Sequence, residues 1–184
     1  MIIADHQRRP SLGGPLSHAG VARSGRGAAL EEIAAVYAES APRLRRVAGG
    51  ITGNADAAQD VVQEAFARAI RKRTSFARTG SVEAWLWRVV VNTALNRRRT
   101  DAKAAAAGRR AGSPEPIVDD VSADQARVRS LVAALPGRQR AALFLHYYAD
   151  LDYEAIARIL GIRSGTVGKL LHDARAAIRK EVEQ

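Results

Sequence analysis

The chain has no cysteine among its 184 residues. That excludes a disulfide framework and any metal site built from thiolates. No apolar run is long enough to cross a bilayer, so no membrane insertion is expected. The N-terminal stretch, Met1 to about Gly27, lacks the apolar centre of a signal peptide, which points to a cytoplasmic protein. Aromatic residues are scarce at 5%, and there are four histidines. Of these, His6 and His18 lie in the N-terminal stretch with no other ligands nearby and read as solvated. His146 and His172 lie in patterned segments, and only His172 has an adjacent carboxylate, Asp173. No Gly-rich phosphate loop is present. The chain is therefore not expected to be an enzyme, and nothing in it asks for a cofactor or a metal.

What is present is alanine and positive charge. Alanine dominates a hydrophobic fraction of 47% and β-branched runs are few, which predicts an all-α fold. The net charge of +10 and a pI near 10.9 imply a polyanionic partner. Ribosomal RNA or anionic lipid would suit the same charge, so charge alone names only the class.

Residues 1–28, rich in Gly, Arg, Ser and Pro and without an apolar period, read as a disordered basic tail. Leu30, Ile33 and Tyr37 then share one helical face, and Leu44, Val47, Ala48 and Ile51 resume it after Pro42. Either one kinked helix or two short ones follows, with Ser40 available as a cap. Gly53 can close this element and Asn54 can cap the next. From Ala55 to about Lys72, Ala58, Val61, Val62, Ala65, Phe66, Ala69 and Ile70 form a continuous stripe. The opposite face begins acidic and amidic, with Asp56, Asp60, Gln63 and Glu64, and ends with Arg68, Arg71, Lys72 and Arg73. This order complements the helix dipole, and it also offers a docking face for a protein partner.

The most informative stretch is SFARTGSVEAWLWRVVVNTALNRRR, Ser75 to Arg99. Ser81 is placed to cap a helix that starts at Val82. Trp85, Leu86, Val89 and Val90 make its core-facing side, while Trp87 and Val91 point elsewhere. Asn92 and Asn96, four apart, are followed by Arg97, Arg98 and Arg99. Carboxamides can bond base edges and guanidinium groups can hold phosphates. A packed helix with a solvated basic end is the alternative. Phe76 reads as an exposed aromatic in the loop before it.

After Arg99 the pattern dissolves, and residues 101–122, with AAAAGRRAGSPEP, read as a flexible linker. The flanking units, 29–100 and 123–184, carry twelve Lys/Arg against seven Asp/Glu and ten against seven. Both are basic, as expected if both touch one polyanion. In the second unit Val128, Leu131, Val132 and Leu135 share a helical face that Pro136-Gly137 ends. Leu143, Phe144, Tyr147 and Tyr148 read as the core of the next helix. Tyr153, Ile156, Ala157 and Leu160 bury one side of a short helix, Gly161 turns the chain, and Ser164 can cap a helix that directs Val167, Leu171, Ala174 and Ile178 inward. Ala157, Gly161 and Val167 have helix-turn-helix spacing: the alanine allows close approach, the glycine turns, the valine locks.

DAAQDVVQEAFARAI, WLWRVVVNTALN and LPGRQRAALFLHYYADLDYEAIARILGI with GTV after it together resemble the extracytoplasmic-function (ECF) sigma factors, small two-domain initiation subunits of bacterial RNA polymerase. The resemblance covers residues 30–100 and 123–184. It implies a region 2 domain that binds core RNA polymerase and opens the minus-ten element. It also implies a region 4 domain that reads the minus-thirty-five element of promoter DNA, and an anti-sigma factor as a further partner. By motif, Asp60, Gln63, Glu64 and Phe66 fall in the polymerase-docking segment. Phe76 falls where a flipped base is captured, and Trp85, Arg88, Asn92, Asn96, Arg97 and Arg98 lie beside the melted strand. Arg163, Ser164, Thr166, Lys169, His172 and Arg175 remain for the upstream groove. There the chain departs from the family pattern: Gly168, Lys169 and Leu170 follow Gly-Thr-Val, and Asp173 replaces a later arginine. The rival reading is a plain helix-turn-helix regulator whose first domain senses or dimerises.

Overall fold

The computed structural model describes residues 27–108 and 123–182. The readings of the remaining tail, His6 and His18 included, and of most of the linker lie outside the described residues. Helices α1 (Leu30–Thr52), α2 (Ala55–Arg71) and α3 (Val82–Ala106) build the first domain. Helices α4 (Ala123–Ala134), α5 (Gly137–Tyr147), α6 (Tyr153–Leu160) and α7 (Ser164–Val182) build the second. Among the described residues every regular element is helical, a single 3-10 turn at Arg73–Ser75 included.

Local chemistry sets the breaks. Gly53 closes α1 in the left-handed region at φ 80°, its N–H donating to the Gly49 carbonyl at 2.7 Å. Asn54 Oδ1 accepts from the Asp56 and Ala57 amides at 2.8 and 3.1 Å, and Ser81 Oγ accepts from Ala84 at 3.1 Å. Each such cap contributes about 1 kcal/mol. Pro42 does not split α1, which passes through it as one helix. Ser40 caps nothing: it is buried, with its hydroxyl donating to Glu83 Oε1 of α3 at 3.5 Å. Order also starts earlier than the periodicity indicates. The Gly27 and Ala28 amides donate to the Phe76 and Arg73 carbonyls at 3.2 and 2.9 Å, and Ala28 is buried.

The first core joins Ile33, Leu44, Val47 and Ile51 of α1 to Val61, Val62, Ala65 and Phe66 of α2 and to Leu86, Val90 and Ala94 of α3. The two tryptophans exchange the roles read from the sequence. Trp87 is 2% exposed and Val91 fully buried, while Trp85 and Val89 are only partly buried. The inward face of α3 is thus turned by one residue, because α3 is covered on two sides, by α1 and α2 and by α6 of the second domain. Trp87 Nε1–H donates to Glu83 at 3.4 Å, and the Arg43 guanidinium lies 5.9 Å from its ring. Helix α3 also continues to Ala106, past Arg99, where the periodicity ends.

The second core is built from Leu135, Ala141, Ala142, Leu145, Ile156, Leu160, Val167, Leu171 and Ala174. Tyr147, Tyr148 and Tyr153 are exposed rather than core, as is Val128, and Phe144 is half-buried. Helix α5 packs through the small side chains Ala141 and Ala142, so its neighbours approach closely and leave no room inside for the tyrosines at its end. Gly161, at φ 64°, makes the turn between α6 and α7, and the Ile162 amide donates to Ala157 at 3.0 Å. Asp152 caps α6 through the Ala155 amide at 2.7 Å. Ser164 is the first residue of α7, and the Thr166 amide bonds to the Arg163 carbonyl at 2.9 Å.

The domains meet along a seam, α5 against α1 and α6 against α3. Phe144 lies over Gly50 so closely that a Cβ there would come within 2.3 Å of its ring. Arg140, 3% exposed, donates to the Ile51 carbonyl of the first domain at 3.2 Å and to the Ala133 carbonyl of its own. In return Arg98 donates to the Leu135 carbonyl at 2.8 Å, and Arg43 to that of Ala149.

Candidate polymerase and nucleic-acid interface

On α2 the sequence separates an outward face from an inward one. Asp60, Gln63 and Glu64 are exposed, and Glu64 pairs with Arg68 one turn on at 2.6 Å. Such an exposed pair contributes only about 0.3–0.5 kcal/mol, so its effect is to order the face rather than stabilise it. Phe66 does not belong to that face. It is buried, with its ring edge-on to Tyr37 at 4.9 Å, and it fixes α2 to α1.

The C-terminal end of α2 and the middle of α3 enclose a shallow cavity of about 210 Å³. Arg68, Lys72, Ser75, Trp85, Val89 and Asn92 line it. Two cations, an indole wall, a carboxamide and a hydroxyl make a site for a nucleotide taken out of its stack: the ring stacks, the amide reaches a base edge, the cations meet phosphate. Phe76 is not the capturing group. It is buried behind Trp85, ring centroids 5.3 Å apart, and it supports the wall instead of forming it. Arg68, Lys72, Ser75 and Val89 were invisible as site residues in the sequence. The cations there look like ordinary complements to the α2 dipole, and only the packing of α3 across α2 turns them into a lining.

The other residues of α3 divide by direction. Asn96 is exposed one turn beyond Asn92, 3.5 Å from Arg99 through its carbonyl oxygen. Arg97 pairs with Asp101 at 3.2 Å. Arg88 is exposed at the boundary between the cavity and the second domain, its guanidinium beside Gly161. Arg98, bonded to Leu135, faces the seam. The structure therefore brings Trp85 and Asn92 together and leaves Arg98 apart from them.

In the second domain Arg163, Ser164, Thr166, Lys169, His172 and Arg175 are all exposed on and before α7, while Val167, Leu171 and Ala174 hold it to α6. Arg175 Nε–H donates back to the Leu171 carbonyl at 3.2 Å. Gly168 is half-buried beside the Tyr153 ring, 3.6 Å from where a Cβ would sit, and Asp173 is half-buried too. No helix of the described residues is long and apolar enough to cross a membrane, and no group of three or more His, Cys, Asp or Glu among them could hold a metal.

An all-helical chain with an aromatic-walled, cationic cavity on one domain and an exposed recognition helix on the other is a two-domain DNA-binding protein. Residues 36–104 match the family model of sigma-70 region 2, and residues 125–178 that of sigma-70 region 4. The ECF RNA polymerase sigma factor SigL of Mycobacterium tuberculosis is 35% identical over 167 residues, which cover 86% of this chain and 94% of SigL. SigW of Bacillus subtilis is 27% identical, with 84% and 89% covered. Among solved structures, the sigma factor RpoE of Bartonella quintana, in complex with the anti-sigma factor NepR, superposes with a TM-score of 0.68 at 21% identity, over 84% of this chain and 98% of that one. CnrH, in complex with the cytosolic domain of CnrY, gives 0.62 at 22%, over 82% and 87%. The chain belongs to the ECF sigma factors, which direct RNA polymerase to specific promoters. A sensor or dimerisation domain in front of the helix-turn-helix is thereby replaced by region 2.

Proposed function

We propose that the first domain, about 29–100, docks on core polymerase and captures the melted strand. The second, 123–184, reads upstream duplex, and residues 101–122 link them. The observation that carries this is the cavity of Arg68, Lys72, Ser75, Trp85, Val89 and Asn92, which has the size and chemistry for one unstacked nucleotide. Asn96, Arg97 and Arg88 extend the same track along α3 and its rim. The exposed Asp60, Gln63 and Glu64 offer an acidic face on a basic protein, suited to a basic surface of the polymerase. Arg163, Ser164, Thr166, Lys169, His172 and Arg175 offer donors to a groove and its phosphates. No residue is assigned a catalytic role, the protein acts in the cytoplasm, and the sigma factors of both solved complexes point to an anti-sigma partner here as well.

The test separates melting from binding. Asn92→Ala with Asn96→Ala should leave holoenzyme formation and closed complexes unchanged and sharply reduce permanganate reactivity of promoter thymines. A pre-melted bubble should restore activity, because unpairing no longer has to be driven. Lys169→Ala with Arg175→Ala should weaken duplex binding and lessen its salt dependence. Normal melting by the asparagine variant would remove the cavity from the reading.

A further inference from the structure

The seam between the domains is built like a latch. At its centre Arg140 spans the two domains through backbone carbonyls, and its buried Nε has no partner. The Arg98 guanidinium approaches from the other side, with no carboxylate bonded to either arginine. Burial, and then the neighbouring Arg98 cation, lowers the Arg140 guanidinium to about 10, and burial also lowers Arg98. Both remain charged at neutral pH, so the seam holds two like charges by carbonyl dipoles alone. It is therefore a contact that an external anion can pull apart. Phosphate competes for Arg98 directly, because releasing it to a phosphate relieves the repulsion and also removes the Leu135 bond.

Geometry makes the separation obligatory. Elements named for positions ten and thirty-five lie about 25 base pairs apart, about 85 Å of duplex at ~3.4 Å per pair. In the closed arrangement α6, which leads straight into α7, lies against α3, and the 19 residues of α7 measure only about 28 Å. The two readers therefore cannot reach both elements until the seam parts. A chain of the length between Ala106 and Ala123 reaches about 55 Å when extended, enough to permit that movement.

We propose that the Gly50–Phe144, Arg140–Ile51 and Arg98–Leu135 contacts form a self-inhibitory latch. It holds the free protein closed and is released when polymerase and promoter phosphates draw the domains apart. The inference rests on the transcription reading above. It leaves the α2 face and the outer face of α7 open in the closed state, so docking on polymerase can precede opening. Gly50 is the point at which to break the latch, since it lies outside the candidate DNA and polymerase residues and a side chain there meets Phe144.

The absence of cysteine allows two labels to be placed uniquely, at Gln59→Cys and Lys180→Cys, both exposed positions. The labelled full-length protein should give one short-distance population alone and a long-distance population in the promoter-bound holoenzyme. Gly50→Val should shift the free protein to long distances and lower the polymerase-limited half-point for promoter opening by about threefold, as expected when a closed fraction is removed. Arg43→Ala with Phe144→Ala, which loosens the seam without a wedge, should do the same. A long distance in the free wild type, or a short one on the promoter, overturns the latch. So does opening by Gly50→Val with an unchanged half-point. If the distances change as stated but neither protein opens any promoter with core polymerase, the transcription reading fails and the inhibitory role with it, whereas the seam as a closing contact survives.

Discussion

The two domains use their few aromatic rings in opposite ways. The first encloses Trp87, Phe66 and Phe76, with only Trp85 and Tyr37 reaching the surface. The second folds around alanine, leucine, isoleucine and valine, with Tyr147, Tyr148 and Tyr153 outside and Phe144 spent on the seam. Aromatic rings thus hold the strand-opening domain together, whereas in the helix-turn-helix domain they mark surface. Small side chains suffice there because α5 and α7 approach closely, and close approach also gives a recognition helix a fixed mounting.

The contrast can be broken most directly at Trp87. Trp87→Ala should cost about 3–5 kcal/mol, seen as a lower denaturant midpoint of the first domain. A cost below 1 kcal/mol would mean that the first core does not depend on its indole. Leu171→Ala, in the aromatic-free core, should cost about 2–5 kcal/mol. Both tryptophans lie in the first domain, so their fluorescence reports that domain alone while circular dichroism reports both. Leu171→Ala should therefore separate the two signals into distinct transitions. Coincident transitions would show that the seam makes the domains one cooperative unit. Asn54→Ala removes a cap common to neither core and should cost about 1 kcal/mol, read by fluorescence. Smallest of all, Tyr147→Ala should stay within about 0.5 kcal/mol of the parent. A larger loss would restore the tyrosine to the core.

What the sequence made legible was local. Gly53, Asn54, Ser81 and Gly161 punctuate the helices where read, because a left-handed turn or a cap needs only its own neighbours. The stripe of α2 was equally plain, since one partner covers one face. The facing of α3 was not, because two domains bury it and a nearly continuous apolar run has no single period to follow. Phe76 and Phe66 were misplaced for the same reason: nothing adjacent to either tells that Trp85 or Tyr37 covers it. The cavity needed tertiary packing outright, as Lys72 and Asn92 are twenty residues apart in sequence.

One small junction affects how the protein can be handled. The amides of Gly27 and Ala28 are bonded to Phe76 and Arg73, and Gly27 has φ 97° with no room for a Cβ beside the Arg73 carbonyl. These two residues therefore act as a hem, stitching the start of the ordered chain to the back of the cavity wall. Trimming the chain up to Gly27 would leave this hem in place, whereas a cut after Ala28 would wet Phe76 and loosen Trp85 in front of it. The junction to protect in any shortened or tagged version is thus the one before Ala29, even though the first helix begins only at Leu30.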